Sequence, residues 1–211
     1  MSRALVIVGT VLGATSFSHA QISYVSQSRS VNAFSSGPNQ SIASTDFGLF
    51  DALATSAFPE EGALSTASQT STLGIDSITA TASTSAEALN GFSSSSSTFF
   101  SVTFDIAFEA EFFFDGSLFV SQFGDSSLLL SGPSGEVLRL GEIPGSSFVQ
   151  GLETDGVFEP GRYSLVARGF GRSSSDIGDA GGFNFTLSVV PAPGAGALFA
   201  CSIFMTRRRR P

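Results

Sequence analysis

The 211-residue sequence contains no lysine and no tryptophan, and only one histidine, one cysteine, two methionines and two tyrosines. Without lysine there is no Schiff-base chemistry, and every permanently positive side chain is an arginine. One cysteine excludes an internal disulfide, and with one histidine it leaves no set of ligands for a His/Cys metal site. Ser-His-Asp and Cys-His catalysis both need a histidine, and His19 lies in a segment expected to be removed. Charge is scarce as well: 13% of residues are charged, about half the usual fraction. The balance of 10 arginines against 18 acids gives −8, and nucleic-acid binding needs the opposite sign on at least one face. A mean hydropathy of +0.26 is too apolar for a disordered acidic chain. In place of the missing types stand abundant serine, 23 glycines and 22 phenylalanines, in a length that suits one domain with a true core.

Both ends have the character of addresses. Arg3 precedes an eleven-residue apolar run, Ala4 to Ala14, and small residues at Ser18 and Ala20 flank a cleavage position before Gln21. Eleven residues are too few to cross about 30 Å of hydrocarbon as a helix, so the pattern predicts a signal peptide over 1–20, handled by the Sec system and signal peptidase. At the other end, thirteen uncharged residues from Gly194 to Thr206 are followed by Arg207, Arg208, Arg209 and Arg210. A basic cluster after an apolar run is a stop-transfer pattern whose charged end stays in the cytoplasm. Thirteen residues make a helix of about 20 Å, so the span needs help from its flanks or from local thinning of the bilayer. Pro191 and Pro193 hold the preceding chain extended, which suits a processing enzyme.

Val190-Pro191-Ala192-Pro193-Gly194, the short apolar segment and the terminal arginines together resemble the PEP-CTERM sorting signal of exported bacterial proteins, with Ala192 where the name-giving motif has glutamate. The resemblance covers about the last twenty-three residues, 189–211. It implies an exosortase-like membrane enzyme cutting near the Pro-x-Pro element, transient residence in the inner membrane, and an association with exopolysaccharide and the cell surface. An ordinary single-pass tail anchor is the alternative; either delivers the body outside the inner membrane.

Between residues 21 and 188 the pattern is alternation, with little apolar recurrence at helical spacing. An all-β fold is expected, an antiparallel sandwich or jelly-roll-like single domain with phenylalanines in its core. Val102 to Asp115 is expected as one long strand, with Val102, Phe104, Ile106, Phe108, Ala110, Phe112 and Phe114 on the buried face. Asp115-Gly116 is expected as a turn, with Ser117 to Ser121 returning beside the strand. Ser127–Ser131 and Glu136–Leu140 flank Gly132-Pro-Ser-Gly135 as a hairpin, and a Pro-Gly turn at 160–161 leads into Tyr163 to Ala167. Phe183, Phe185, Leu187 and Val189 share one face of the last strand. Ile22 to Ala33 and Ala63 to Ala88 alternate among Ser, Thr, Ala and a few aliphatics, which specifies register only weakly. The serine run Ser93 to Ser97 is expected as a loop.

The surviving route to catalysis is carboxylate chemistry. Glu109 and Glu111, about 7 Å apart on one strand face, suggest a polysaccharide hydrolase, against the plainer reading of a solvated acidic face. Asp176 and Asp179, in the glycine-rich stretch Ser173 to Gly182, are candidate calcium ligands for a glycan-binding module, against a flexible loop. No other cofactor is implied. Asp46-Phe47-Gly48 matches the kinase metal-binding tripeptide by chance, since that site also needs a lysine. The leading expectation is a non-catalytic exported protein of the cell surface or extracellular matrix. Loss of both ends leaves five arginines against eighteen acids, a body of −13.

Overall fold

The computed structural model describes residues 22–89, 91–121, 124–141, 148–174 and 178–191. The expected signal segment over 1–20, Gln21, Asp176, Ala192, Pro193 and the rest of the C-terminal segment lie outside them. The described chain is an all-β sandwich of two antiparallel six-stranded sheets. The first sheet has the order β2 (Gln40–Ser44), β1 (Ile22–Phe34), β6 (Ser93–Ile106), β11 (Gly161–Ser174), β8 (Asp125–Gly132), β9 (Gly135–Leu140). The second has the order β10 (Phe148–Phe158), β7 (Ala110–Val120), β12 (Asp179–Pro191), β5 (Ser77–Glu87), β4 (Ala63–Leu73), β3 (Phe50–Phe58). Among the described residues the core forms two clusters, each drawing side chains from both sheets.

The core follows the alternation. Phe183, Phe185, Leu187 and Val189 of β12 point inward, as do Tyr163, Leu165 and Ala167 of β11. Aromatic rings lock the two sheets together: Phe100 on β6 meets Phe185 on β12 edge-on at 5.4 Å, and Phe158 on β10, stacked at 4.3 Å on Phe112 of the same sheet, tilts against Tyr163 on β11 at 4.4 Å. Such pairs contribute about 0.5–1.5 kcal/mol each beyond their buried area. The hairpin at Gly132 to Gly135 forms, and Gly135 adopts φ +114°, a conformation that L side chains rarely take.

Four expectations are corrected. Val102 to Asp115 is two strands in different sheets, joined by the exposed link Ala107-Phe108-Glu109. Val102, Phe104, Ile106, Ala110, Phe112 and Phe114 all remain buried because a three-residue crossover preserves the parity of the alternation, and only Phe108 is turned out, 66% exposed. Asp115-Gly116 is no turn: β7 runs through it to Val120, and Gly116 makes room for rings, since a Cβ there would lie 2.7 Å from the Phe114 ring and 3.0 Å from Phe185 Cβ. Ser93 to Ser97 opens β6 and pairs on both sides, with β11 and β1. Its buried hydroxyls bond across the sandwich, Ser94 Oγ donating to the Glu87 carbonyl at 2.8 Å and Ser96 Oγ to the Ser85 carbonyl at 3.0 Å. Finally, the stretch expected as a loop from Ser173 to Gly182 is mostly strand, because β11 continues to Ser174 and β12 starts at Asp179.

The two sheets approach closely along β11 and β12. A Cβ on Gly169 would lie 3.0 Å from Gly182 Cα, and one on Gly181 would lie 2.6 Å from the Phe170 carbonyl oxygen. Only glycine permits backbones to approach this closely.

Candidate functional site

The most highly organised polar group in the described body is built around Arg29. Strand β1 starts with Ile22 and Tyr24 turned inward, but a β-bulge between Tyr24 and Ser26 inserts Val25 and shifts the phase. From there Gln27, Arg29, Val31 and Ala33 are the buried positions. The bulge therefore drives a guanidinium into the interior, where Arg29 is 0% exposed.

Its donors are all engaged. Arg29 Nε donates to Gln27 Oε1 at 2.8 Å, Nη1 to Ser71 Oγ at 3.2 Å and to the Ser71 carbonyl at 3.4 Å, and Nη2 to the carbonyls of Gly48, at 2.8 Å, and Asp46. Gln27 Nε2 donates to the same Asp46 carbonyl. The guanidinium carbon stands 5.3 Å from the centre of the Phe50 ring. Burial lowers the Arg29 pKa and the charge of Asp46 partly offsets this, yet arginine starts so high that the group stays protonated. A fixed positive charge without a carboxylate bonded to it is here solvated by backbone carbonyls, an amide and a hydroxyl.

What Arg29 fastens is the loop from Thr45 to Leu49, which carries the chain from β2 in the first sheet to β3 in the second. Loops on such crossovers are ordinarily mobile. This one is pinned at Asp46 and Gly48 and presents the side chains between and beyond them: Phe47 is 44% exposed and Leu49 is 70% exposed. Phe47 packs on Tyr24 with ring centres 5.9 Å apart. Tyr24 in turn donates its hydroxyl to the Gly74 carbonyl at 2.6 Å, and Ile22 N–H bonds the Ile75 carbonyl at 2.9 Å. Val25, Phe47, Leu49 and Ile75, all exposed, thus mark one end of the sandwich with a braced apolar tip. Burial, and secondarily the charge of Asp76, raises the Tyr24 pKa well above the ordinary tyrosine value. Its hydroxyl remains a donor at any physiological pH. Pre-ordered apolar side chains lose little entropy on contact, so what this tip offers chemically is apolar contact surface.

The candidate residues of the sequence fall elsewhere. Glu109 sits in the exposed crossover link and Glu111 on β7, so they do not share a strand face. Asp179 lies on β12, is buried, and accepts a hydrogen bond from Ser121 Oγ at 3.2 Å, while the Ala180 N–H donates to the same hydroxyl at 2.6 Å. The described member of the expected calcium pair therefore ties the β7–β8 connection to β12. Among the described residues no three acids, histidines or cysteines stand together as a metal site. Pro191 is the last residue of β12. Alternation could not foresee the Arg29 group, because its inward direction depends on the bulge; the only sequence cue was a lone arginine between serines.

No protein-family model and no curated protein matches the chain. Among solved structures it is similar to the infectious bursal disease virus VP2 subviral particle, at 13% identity and a TM-score of 0.26, covering 85% of this chain and 59% of that one. The chain thus spans less than two thirds of that protein, and a likeness at this level says nothing of what the chain does.

Proposed function

We propose that the chain is an exported, non-catalytic component of the cell surface or extracellular matrix, sorted through its C-terminal segment. The observation that carries this reading is the three-part segment itself, with Pro191-Ala192-Pro193, thirteen uncharged residues and four arginines in order. Its attachment point supports the reading: β12, which reaches Pro191, lies between β7 and β5 in the middle of its sheet, so a pull on the tail loads a central strand. The partners are the Sec system and signal peptidase, then an exosortase-like membrane enzyme, with exopolysaccharide as the surrounding material. The body supports a non-catalytic role through its side chains, since removal of the ends takes the histidine and cysteine with it and no lysine exists.

Replacing Pro191 and Pro193 by alanine tests the sorting step. The double variant should accumulate in the inner-membrane fraction while the parent chain reaches the surface or the medium. Equal distribution of the two would refute recognition of the proline element.

A further inference from the structure

The charged side chains are divided between the two outer faces of the sandwich. The first sheet turns outward Arg139 of β9 and Arg162, Arg168 and Arg172 of β11, all the exposed arginines among the described residues. Two of them are neutralised in place: Arg162 Nε lies 2.8 Å from Asp105 Oδ1, and Arg139 Nε lies 2.8 Å from Glu136 Oε2. Arg168 and Arg172 form no ion pair among the described residues, and Asp125 is the one remaining acid on the strands of that sheet. Arg168 stands over the Phe99 ring at 5.5 Å, and Phe170 is turned outward between the two arginines.

The second sheet has no arginine on any of its strands. Outward on it stand Asp51, Glu87, Glu111, Asp115, Glu153 and Asp155. Asp115 and Glu153 are directly opposite one another in the β7–β10 pairing, and Asp155 is opposite the exposed Phe113. Like charges set face to face across a ladder oppose the pairing they sit on, and a cationic neighbour from outside would relieve them.

We propose that these are the two halves of one interface, in which the arginine face of one copy of the chain stacks on the acidic face of the next. Phe99 and Phe170 on one side and Phe113 on the other supply apolar contact between the charges. Six strands spaced about 4.8 Å apart and about eleven residues long present roughly 1,000 Å² on each face, against about 800 Å² per partner in a stable pair. The faces lie on opposite sides of the sandwich, so the contact is head-to-tail and repeats into an open stack. A separate polyanion is the weaker occupant, because it would cover the arginine face and leave the like charges of the acidic face unrelieved, whereas a stack pairs each arginine face with an acidic one. The inference rests on the body alone and stands or falls independently of how the tail is processed.

Full-length chain in a non-ionic detergent, where the apolar tail is the same in every sample, is followed by sedimentation velocity against concentration and salt. Parent protein should associate at low salt and dissociate near 1 M, where the screening length is about 3 Å. Arg168→Glu with Arg172→Glu, and separately Asp115→Arg with Glu153→Arg, should each remain monomeric alone. Mixed in equal amounts they should associate again, because each restores the partner face that the other lacks. Should either reversal fail to fold, Arg168→Gln with Arg172→Gln and Asp115→Asn with Glu153→Gln serve as neutral versions, each expected to weaken association. A monomeric parent, variants that associate like the parent, a mixture that stays monomeric, or association that appears only when dextran sulfate is added would each overturn the proposal.

Discussion

Replacing Arg29 by alanine should destabilise the body by about 3–5 kcal/mol, the range for removing one member of a buried, fully bonded charged group. The substitution strips the side-chain donors from the Asp46 and Gly48 carbonyls, Ser71 and Gln27, and leaves a cavity against Phe50. Hydrogen bonds to a charged group contribute about 1.5–3 kcal/mol each, but water reaching the opened loop recovers part of that loss. For a body of this size the change corresponds to a fall in melting temperature of roughly 6–20 °C. Urea unfolding is the assay: the midpoint should fall with the slope unchanged, and chymotrypsin should cut after Phe47 or Leu49 far faster than in the parent. Gln27→Ala should cost less, and the double variant less than the sum of the singles, because both side chains hold the same Asp46 carbonyl. A loss below about 1 kcal/mol with no change in cleavage at the loop would refute the claim that Arg29 braces it.

Gly182→Ala should cost about 3 kcal/mol in urea unfolding, since its methyl group would overlap the Ala82 carbonyl of β5 and the Phe119 ring of β7; a neutral effect would show that these neighbouring strands of the same sheet give way. Burial raises both Tyr24 and Tyr163, the chain's only tyrosines, so the folded state holds them protonated while the unfolded chain ionises near 10. The stability this contributes is present below the unfolded value and lost as pH rises past it, so ultraviolet titration should show both phenols ionising above 10, and a phenol titrating at the ordinary value in folded protein would contradict their burial. The hydrogen bond from Arg162, with its charge, lowers the Asp105 pKa, so its contribution is present above the unfolded value and lost as pH falls through the folded one. A carbon-13 carboxyl titration should place Asp105 below the usual aspartate range and return it there in Arg162→Ala; an unchanged midpoint would dismiss the pair.

Much of the fold was legible because strand alternation survives burial. Phe183 to Val189 and Tyr163 to Ala167 have one apolar face each, and those faces are the core. The errors share a cause: period two records which side of a strand a residue occupies, not which sheet the strand belongs to. Ala110, Phe112 and Phe114 kept their phase while the chain crossed at 107–109 into the opposite sheet. Ser94 and Ser96 lie in the interior because carbonyls of β5 come within reach of their hydroxyls, a fact of tertiary pairing. Arg29 was hidden for a third reason, since a single inserted residue, Val25, reverses the face of everything after it in β1. Gly116, Gly169 and Gly182 are punctuation in a sequence but packing in the structure.

Export of this body and its sorting by the C-terminal segment can be read from the intact mass of protein recovered from envelope and medium. The recovered chain should begin at Gln21, end near Pro193 and lack Arg207 to Arg210. A recovered mass that still includes Met1 to Ala20, or the four terminal arginines, would contradict the proposed export and sorting.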